Sequence, residues 1–147
     1  MNLFASMAVS ATGMSAEQRR MEAAAQNIAV VHVAAKPGQE SVQSRHVRVS
    51  EFNTIPDEDP TFQMLMSGND GMRGVAAETM VTPAQHRLKY EPGHPLADEN
   101  GMVSYPDISF LDEMVNMMGA QRAFDANVTA YMEARTMLQK ALEIGRA

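Results

Sequence analysis

The feature that most constrains the fold of this 147-residue chain is a pair of helical apolar patterns, one at each end. Near the N-terminus the apolar residues, which we call the N-terminal seam, are Phe4, Met7, Ala11, Met14, Met21, Ala25 and Ile28. Near the C-terminus the residues of the C-terminal seam are Met117, Phe124, Val128, Tyr131, Leu138 and Leu142. Both series follow a pattern of steps of three and four in which Gln18, Gln121 and Arg135 occupy the polar positions, and this average of 3.5 residues is the coiled-coil period. The sequence therefore predicts two long helices that pair as a coiled-coil-like hairpin.

Proline and charge divide the chain into three parts: residues 1–33, 34–107 and 108–147. All seven prolines and most of the acidic residues lie in the middle part, so the two ends favour helices that pair with each other. Alternation around Val47 and from Val75 to Val81 predicts short strands. Residues 53–72 show no period and are expected to be partly disordered. The predicted fold class is mainly α, with a small β-rich or partly disordered middle segment.

Composition excludes several classes of function. A net charge of −6 argues against nucleic acid as a partner, because phosphate binding needs a basic face. There is no cysteine for a disulfide or a thiolate site, and no apolar run approaches the roughly 20 residues that span a bilayer. The first residues lack the basic stretch of a cleaved secretory signal. We therefore expect neither membrane insertion nor a signal peptide.

Catalytic, metal-binding and cofactor-binding patterns are not found in the sequence. The four histidines are scattered, and no two of them have the helical spacing that brings metal ligands together. The acidic run 57–59 lies between prolines and is interpreted as a solvated turn. No nucleophile elbow or phosphate-binding glycine loop occurs. The chain is not expected to be an enzyme or to hold a cofactor.

Alanine lines more than one face of each predicted helix, which indicates burial on several sides. In a chain of this size such burial requires other subunits, so we predict a structural or assembly protein. A soluble helical adaptor or secretion-related partner protein remains the alternative, and an enzyme of small-molecule metabolism is a more distant one.

The stretch from Leu88 to Asp98, Leu-Lys-Tyr-Glu-Pro-Gly-His-Pro-Leu-Ala-Asp, and the later Glu-Met-Val-Asn at 113–116 resemble the rod proteins of the bacterial flagellar basal body, specifically those of the proximal rod. Gln26-Asn27-Ile28-Ala29 resembles the end of their first helix, although Val30 replaces a second expected asparagine. The residues that match the family motifs are Asn27, Tyr90, Pro92, Gly93, Pro95, Gly101, Glu113, Asn116 and Asn127.

The resemblance implies a structural subunit that is exported unfolded through the flagellar type III apparatus without a cleaved signal. Such subunits polymerise into a drive shaft that crosses the periplasm. The implied partners are other copies of the chain, rod proteins of the proximal and distal rod, a rod-base adaptor and the export apparatus. The terminal helices are expected to pack with neighbouring subunits, which makes the two seams the candidate assembly residues.

Overall fold

The computed structural model describes residues 3–39, 42–54 and 72–145. The elements in chain order are helix α1 (Leu3–Val30), strands β1 (Gln43–Thr54), β2 (Met72–Pro83), β3 (His86–Tyr90) and β4 (Met102–Pro106), and helix α2 (Phe110–Ile144). Strand β1 is hydrogen-bonded to β2, and β3 to β4, so the described strands form two separate two-stranded sheets. Helical ends therefore flank a middle that is built from strands.

The predicted fold class, mainly α with a coiled-coil-like hairpin and a small middle segment, is wrong. Strands β1 and β2 are 12 residues each, much longer than the alternation in the sequence indicated. Most of the described side chains in both strands are exposed or half-buried, so neither face needs the apolar residues that produce a clear alternating pattern. The expected disorder falls mostly on residues 55–71, which lie outside the described part of the chain.

The coiled coil was predicted wrongly because the buried face of helix α1 is not a uniform apolar seam. Its most buried residues are small or polar: Ser10, Gly13, Ala16, Ala23, Ala24 and Asn27. A regular coiled coil buries large apolar side chains at both seam positions of each heptad. This face of α1 instead makes polar contacts to strands, described below.

Local capping accounts for the bounds of α2. Pro106 and Asp107 precede the helix, and the Ser109 side-chain oxygen accepts a hydrogen bond from the backbone N–H of Asp112 at 3.3 Å. The carboxylates of the acidic residues in the first turn interact favourably with the positive end of the helix dipole, which stabilises the helix. At the other end the N–H of Gly145 donates to the carbonyl of Ala141 at 3.1 Å.

Strands β3 and β4 are antiparallel, with His86 opposite Pro106 and Tyr90 opposite Met102. Ala35 bridges the other edge of β4, exchanging two backbone hydrogen bonds with Ser104 at 2.9 and 3.0 Å. Val103 and Ser104 are both fully buried, so β4 lies in the core of this part of the fold.

The chain divides into two compact units. One contains residues 1–18, 49–78 and 121–147, and the other contains 19–48 and 79–120. Neither α1 nor α2 has an apolar stretch long enough to cross a bilayer, and no further helix occurs in the described residues.

Candidate assembly surfaces

The N-terminal seam is divided between half-buried and exposed positions. Its four members at seven-residue intervals, Met7, Met14, Met21 and Ile28, are half-buried. Ala11 and Ala25 are exposed, and the side chain of Phe4 is outside the described part of the structure. The large side chains of α1 therefore border its buried face, whereas that face itself consists of small and polar residues.

The contact at Gly13 is one reason why the buried face of α1 consists of small residues. Gly13 is buried, and a Cβ added to it would lie 3.0 Å from both Nδ2 and Oδ1 of Asn127 in α2. Such a distance is shorter than ordinary van der Waals contact, so a larger residue at position 13 would require the Asn127 side chain to move by a few tenths of an ångström. The family-motif residue Asn127 thus packs against the backbone of α1.

Two polar side chains of α1 bind the backbone of strands. In one unit, Asn27 Nδ2 donates to the carbonyl of Arg45 and Asn27 Oδ1 accepts from the Arg45 N–H, both at 2.8 Å. Asn27 is 1% exposed, so both bonds are shielded from water. In the other unit, the Thr12 hydroxyl accepts from the N–H of Val75 at 3.1 Å. The sequence motif singled out Asn27, but nothing in the sequence indicated its partner in β1.

The C-terminal seam is half-buried at Met117, Phe124, Val128, Tyr131 and Leu138 and is exposed at Leu142. The residues of α2 that are buried or half-buried at steps of four and three are Glu113, Met117, Ala120, Phe124, Asn127, Tyr131, Ala134 and Leu138. Along this face of α2, large seam residues therefore alternate with alanine and polar residues.

Five large apolar side chains of α2, among them Leu142 of the C-terminal seam, are mostly exposed. The exposed fractions are 72% for Leu111, 64% for Val115, 61% for Met132, 61% for Leu142 and 79% for Ile144. Single exposed apolar residues are normal on a protein surface, and several large ones along one helix are compatible with contacts to other chains. We call these five residues the exposed set of α2.

The loop between β3 and β4 holds most of the remaining family-motif residues. Gly101 has a φ of +73°, and a Cβ there would lie 2.9 Å from Cε2 of Tyr90 and 3.1 Å from Cβ of Pro92. The Glu91 N–H also donates to the Gly101 carbonyl at 2.8 Å. Because an L side chain rarely adopts this φ and has no room here, glycine is required at position 101. Gly93 and Pro95 are exposed and form part of the surface of the loop.

The side chain of Asp98 binds backbone groups of the same loop. Its Oδ1 accepts hydrogen bonds from the backbone N–H of Met102 at 2.8 Å and of Asn100 at 2.9 Å. These bonds, that to Met102 above all, favour the ionised form and hold the pKa of the Asp98 carboxyl below its usual value. The Asp98 side chain therefore links the loop to the first residue of β4.

Three polar side chains form a small network beside this loop. Lys89 Nζ lies 2.6 Å from Glu91 Oε1, and the Tyr105 hydroxyl donates to Glu91 Oε2 at 2.8 Å. The hydrogen bond to Lys89, followed by that to Tyr105, lowers the pKa of Glu91. Hydrogen bonding to Glu91 raises the pKa of both Lys89 and Tyr105.

The last two motif residues, Glu113 and Asn116, line a polar cavity of about 150 Å³ together with Arg20, Arg45 and His46. The cavity lies within the unit that contains residues 19–48 and 79–120. Among the described residues there is no group of three histidine, aspartate or glutamate side chains placed to hold a metal ion. The family motifs therefore mark positions in α1, α2 and the β3–β4 loop that are spread over the fold.

Comparison with known proteins identifies the class first. Residues 99–144, which include all of α2, match the family described as "Flagellar basal body rod FlgEFG protein C-terminal". This part of the chain is thus that of a flagellar rod protein.

Full-length relatives are more specific. The flagellar basal-body rod protein FlgC of Bacillus subtilis is 33% identical over 154 residues, which cover 99% of this chain and 100% of that protein. FlgC of Borreliella burgdorferi is 30% identical over 98% of both chains, and FlgC of Salmonella typhimurium is 28% identical over 94% of both. The chain belongs to the FlgC family of flagellar basal-body rod proteins.

The predicted resemblance is therefore confirmed, and so is the structural function. The chain is a structural subunit of the flagellar basal-body rod, located in the basal body, and it assembles with other rod components. Because the family is structural, the prediction that the chain is not an enzyme is also confirmed.

Proposed function

We propose that this subunit enters the proximal rod through its two helical ends after export as an unfolded chain by the flagellar type III apparatus. In this proposal residues 1–33 and 108–147 are the axial segments that contact neighbouring subunits. Residues 34–107 face outward or contact adjacent layers. The partners are other copies of the chain, further proteins of the proximal and distal rod, and a rod-base adaptor.

The observation that carries the proposal is the exposed set of α2. Leu111 and Ile144, near opposite ends of a 35-residue helix, are 72% and 79% exposed. Fully burying an aliphatic side chain of this size stabilises by about 1.5–3 kcal/mol relative to leaving it in water. A subunit of a polymer gains that free energy only on assembly. Large apolar residues along a terminal helix are therefore consistent with packing between subunits.

An exposed residue tests this proposal better than a half-buried one, because its substitution leaves the subunit fold intact. Leu142→Asp introduces a carboxylate at a position that is 61% exposed in the isolated chain. Burial of that charge in a subunit contact costs several kcal/mol. The variant should be secreted but absent from purified basal bodies, and its cells should not swim. Gln139→Asp is the matched control, with the same charge change at an exposed polar position of α2.

Normal swimming by cells with Leu142→Asp would show that this end of α2 is solvent-exposed in the rod. Loss of motility with both variants, accompanied by loss of secretion, would indicate a defect in export or folding instead. Circular dichroism of each purified variant separates a folding defect from an assembly defect.

For export, we place the recognised segment at the start of α1. Residues 2–12 carry no ionisable side chain and no proline, so they can thread as an extended chain and afterwards fold. Deletion of residues 2–12 should abolish both secretion and assembly, whereas deletion of residues 138–147 should abolish assembly alone. A secretion assay in a strain that exports without completing the rod compares the two. Efficient secretion of the N-terminal deletion would place the export information elsewhere.

A further inference from the structure

Among the residues that the structure describes, no strand pairs with the outer edge of β3, which leaves it an open hydrogen-bonding edge. Flanking the strand, the N–H of Glu91 donates to Gly101 and the N–H of Asp107 donates to Gln85. In an antiparallel pair, residues that exchange hydrogen bonds alternate with residues whose N–H and C=O groups point away from the partner. Residues 85 and 91 are bonded to the partner strand, so every second residue between them is too, and Leu88 lies at one of the alternate positions. Its N–H and C=O groups therefore point away from β4.

The opposite side of β4 confirms this alternation. Ser104 is paired with Leu88 in the register, and its N–H and C=O point outward to bond Ala35. Strand β4 is therefore covered on both edges. Strand β3 has no second neighbour among the strands of residues 3–39, 42–54 and 72–145, since its sheet contains β3 and β4 alone.

Apolar side chains accompany the open edge. Leu88 is 57% exposed and Tyr90 is 67% exposed. Two residues apart on a strand, they share one face of the sheet. An incoming strand would thus find hydrogen-bonding groups and an apolar surface at the same residues.

The usual protection of such an edge is weakened here. Natural proteins commonly place lysine on an exposed edge strand to prevent pairing. Lys89 is bound to Glu91 at 2.6 Å and lies 6.0 Å from the centre of the Tyr105 ring. As the residue between Leu88 and Tyr90, it lies on the opposite face of the strand. Its charge is therefore directed away from the apolar face, and its side chain, 65% exposed, stays accessible to an acidic group of an incoming strand.

Charge decides which kind of strand fits. Antiparallel pairing of β3 with a second copy of itself, centred on Leu88, would place Arg87 opposite Lys89 twice. Like charges directly opposite each other destabilise a sheet. A segment with acidic residues at those two positions would instead form favourable cross-strand pairs.

We propose that the outer edge of β3 binds an extended segment of a neighbouring protein in which apolar and acidic residues alternate. The apolar residues lie on the face of Leu88 and Tyr90, and the acidic residues on the face of Arg87 and Lys89. Backbone hydrogen bonds supply the register and the side chains supply specificity, as in other cases of strand addition. This edge is separate from the helical seams, so its failure and that of the proposed function are distinguishable.

The test uses the full chain and two short synthetic peptides, one of alternating valine and glutamate and one of alternating valine and lysine. Amide hydrogen exchange and backbone chemical shifts are measured by NMR. The Val-Glu peptide should slow exchange at Leu88 and Tyr90 by about tenfold or more at saturation. The Val-Lys peptide should bind at least about tenfold more weakly, a difference of about 1.4 kcal/mol.

Variants of β3 locate the binding site. Leu88→Pro removes an outward N–H that the β3–β4 pair does not use, so the fold should persist while peptide binding is lost. Leu88→Val is the matched control and should retain binding. Arg87→Glu leaves one positive and one negative position, so it should abolish the preference for the Val-Glu peptide, and it answers the question independently if Leu88→Pro fails to fold.

Absence of Val-Glu binding, equal binding of both peptides, or binding that survives Leu88→Pro in a folded protein would overturn the proposal. Chemical shifts at Leu88 that change with protein concentration without peptide would assign the edge to a second copy of the chain. That outcome would overturn the acidic partner as well.

Discussion

Replacement of Gly13 by alanine tests how closely α1 approaches α2. In the interior of an exposed helix, alanine is more stable than glycine by about 0.5–1 kcal/mol. At Gly13 this gain is opposed by the Asn127 side chain, three atoms of which would lie 3.0–3.1 Å from the new Cβ. Overpacking of this kind costs about 1–3 kcal/mol. We expect Gly13→Ala to lower the free energy of unfolding, by up to about 2.5 kcal/mol.

Gly119 provides the matched control. It also lies in a long helix, but it is exposed and a Cβ there would meet nothing within 4 Å. Gly119→Ala should therefore raise the free energy of unfolding by about 0.5–1 kcal/mol. Urea denaturation of both variants, followed by circular dichroism at 222 nm, measures the difference in sign.

A third variant assigns the cost to the contact itself. Combining Gly13→Ala with Asn127→Ala removes the obstructing amide, so the double variant should be more stable than the sum of the single changes predicts. The coupling free energy between contacting residues of this kind is about 0.5–3 kcal/mol. If Gly13→Ala and Gly119→Ala stabilise equally, or if the coupling is zero, the close approach at Gly13 does not exist and our account of α1 packing is refuted.

Three further predictions concern polar groups. Asn27→Ala should lower the free energy of unfolding by about 2–3 kcal/mol in urea denaturation, because it leaves the N–H and C=O of Arg45 without their partners; a change below measurement error would contradict this. Ser104→Ala should raise the midpoint of unfolding because the Ser104 hydroxyl is buried and has no hydrogen-bond partner in the described part of the chain, whereas Ser44→Ala, which removes a hydroxyl bonded to a histidine, should lower it. The pKa of Asp98 is lower in the folded than in the unfolded chain, so the ionised carboxyl stabilises the fold above about pH 3.8 and this stabilisation is lost as the pH falls through the folded pKa. Between neutral and acid pH, the unfolding temperature should therefore fall less for Asp98→Asn than for the natural chain. Parallel curves of unfolding temperature against pH for the two proteins would refute this.

Helices α1 and α2 could be predicted from spacing alone, because large apolar residues at Met7, Met14, Phe124 and Tyr131 repeat every seven positions. The intervening positions could not be assigned. Ala11 is exposed while the neighbouring Ser10 is buried, although hydrophobicity alone would favour the reverse. What decides between them is how closely another element approaches, which is a property of the folded chain.

The strands were underestimated for a related reason. Alternation of apolar and polar residues with a period of two arises when one face of a sheet is buried. Most described residues of β1 and β2 are accessible on both faces, so this pattern is weak in them. The polar bond from Asn27 to β1 joins residues 18 positions apart and involves only backbone atoms of the strand. Such a bond has no partner residue type for a sequence pattern to identify. The motif resemblance located Asn27 but did not provide its role.

The same bond has a consequence for how the sequence can diverge. Because Asn27 binds only main-chain atoms of residue 45, every amino acid that can donate an N–H satisfies it equally, and proline alone cannot. Position 27 is therefore restricted to a side chain with a donor and an acceptor, whereas these two hydrogen bonds do not depend on which side chain stands at position 45. A substitution at position 45 therefore changes the surface of β1 while this attachment of the first helix stays as it is.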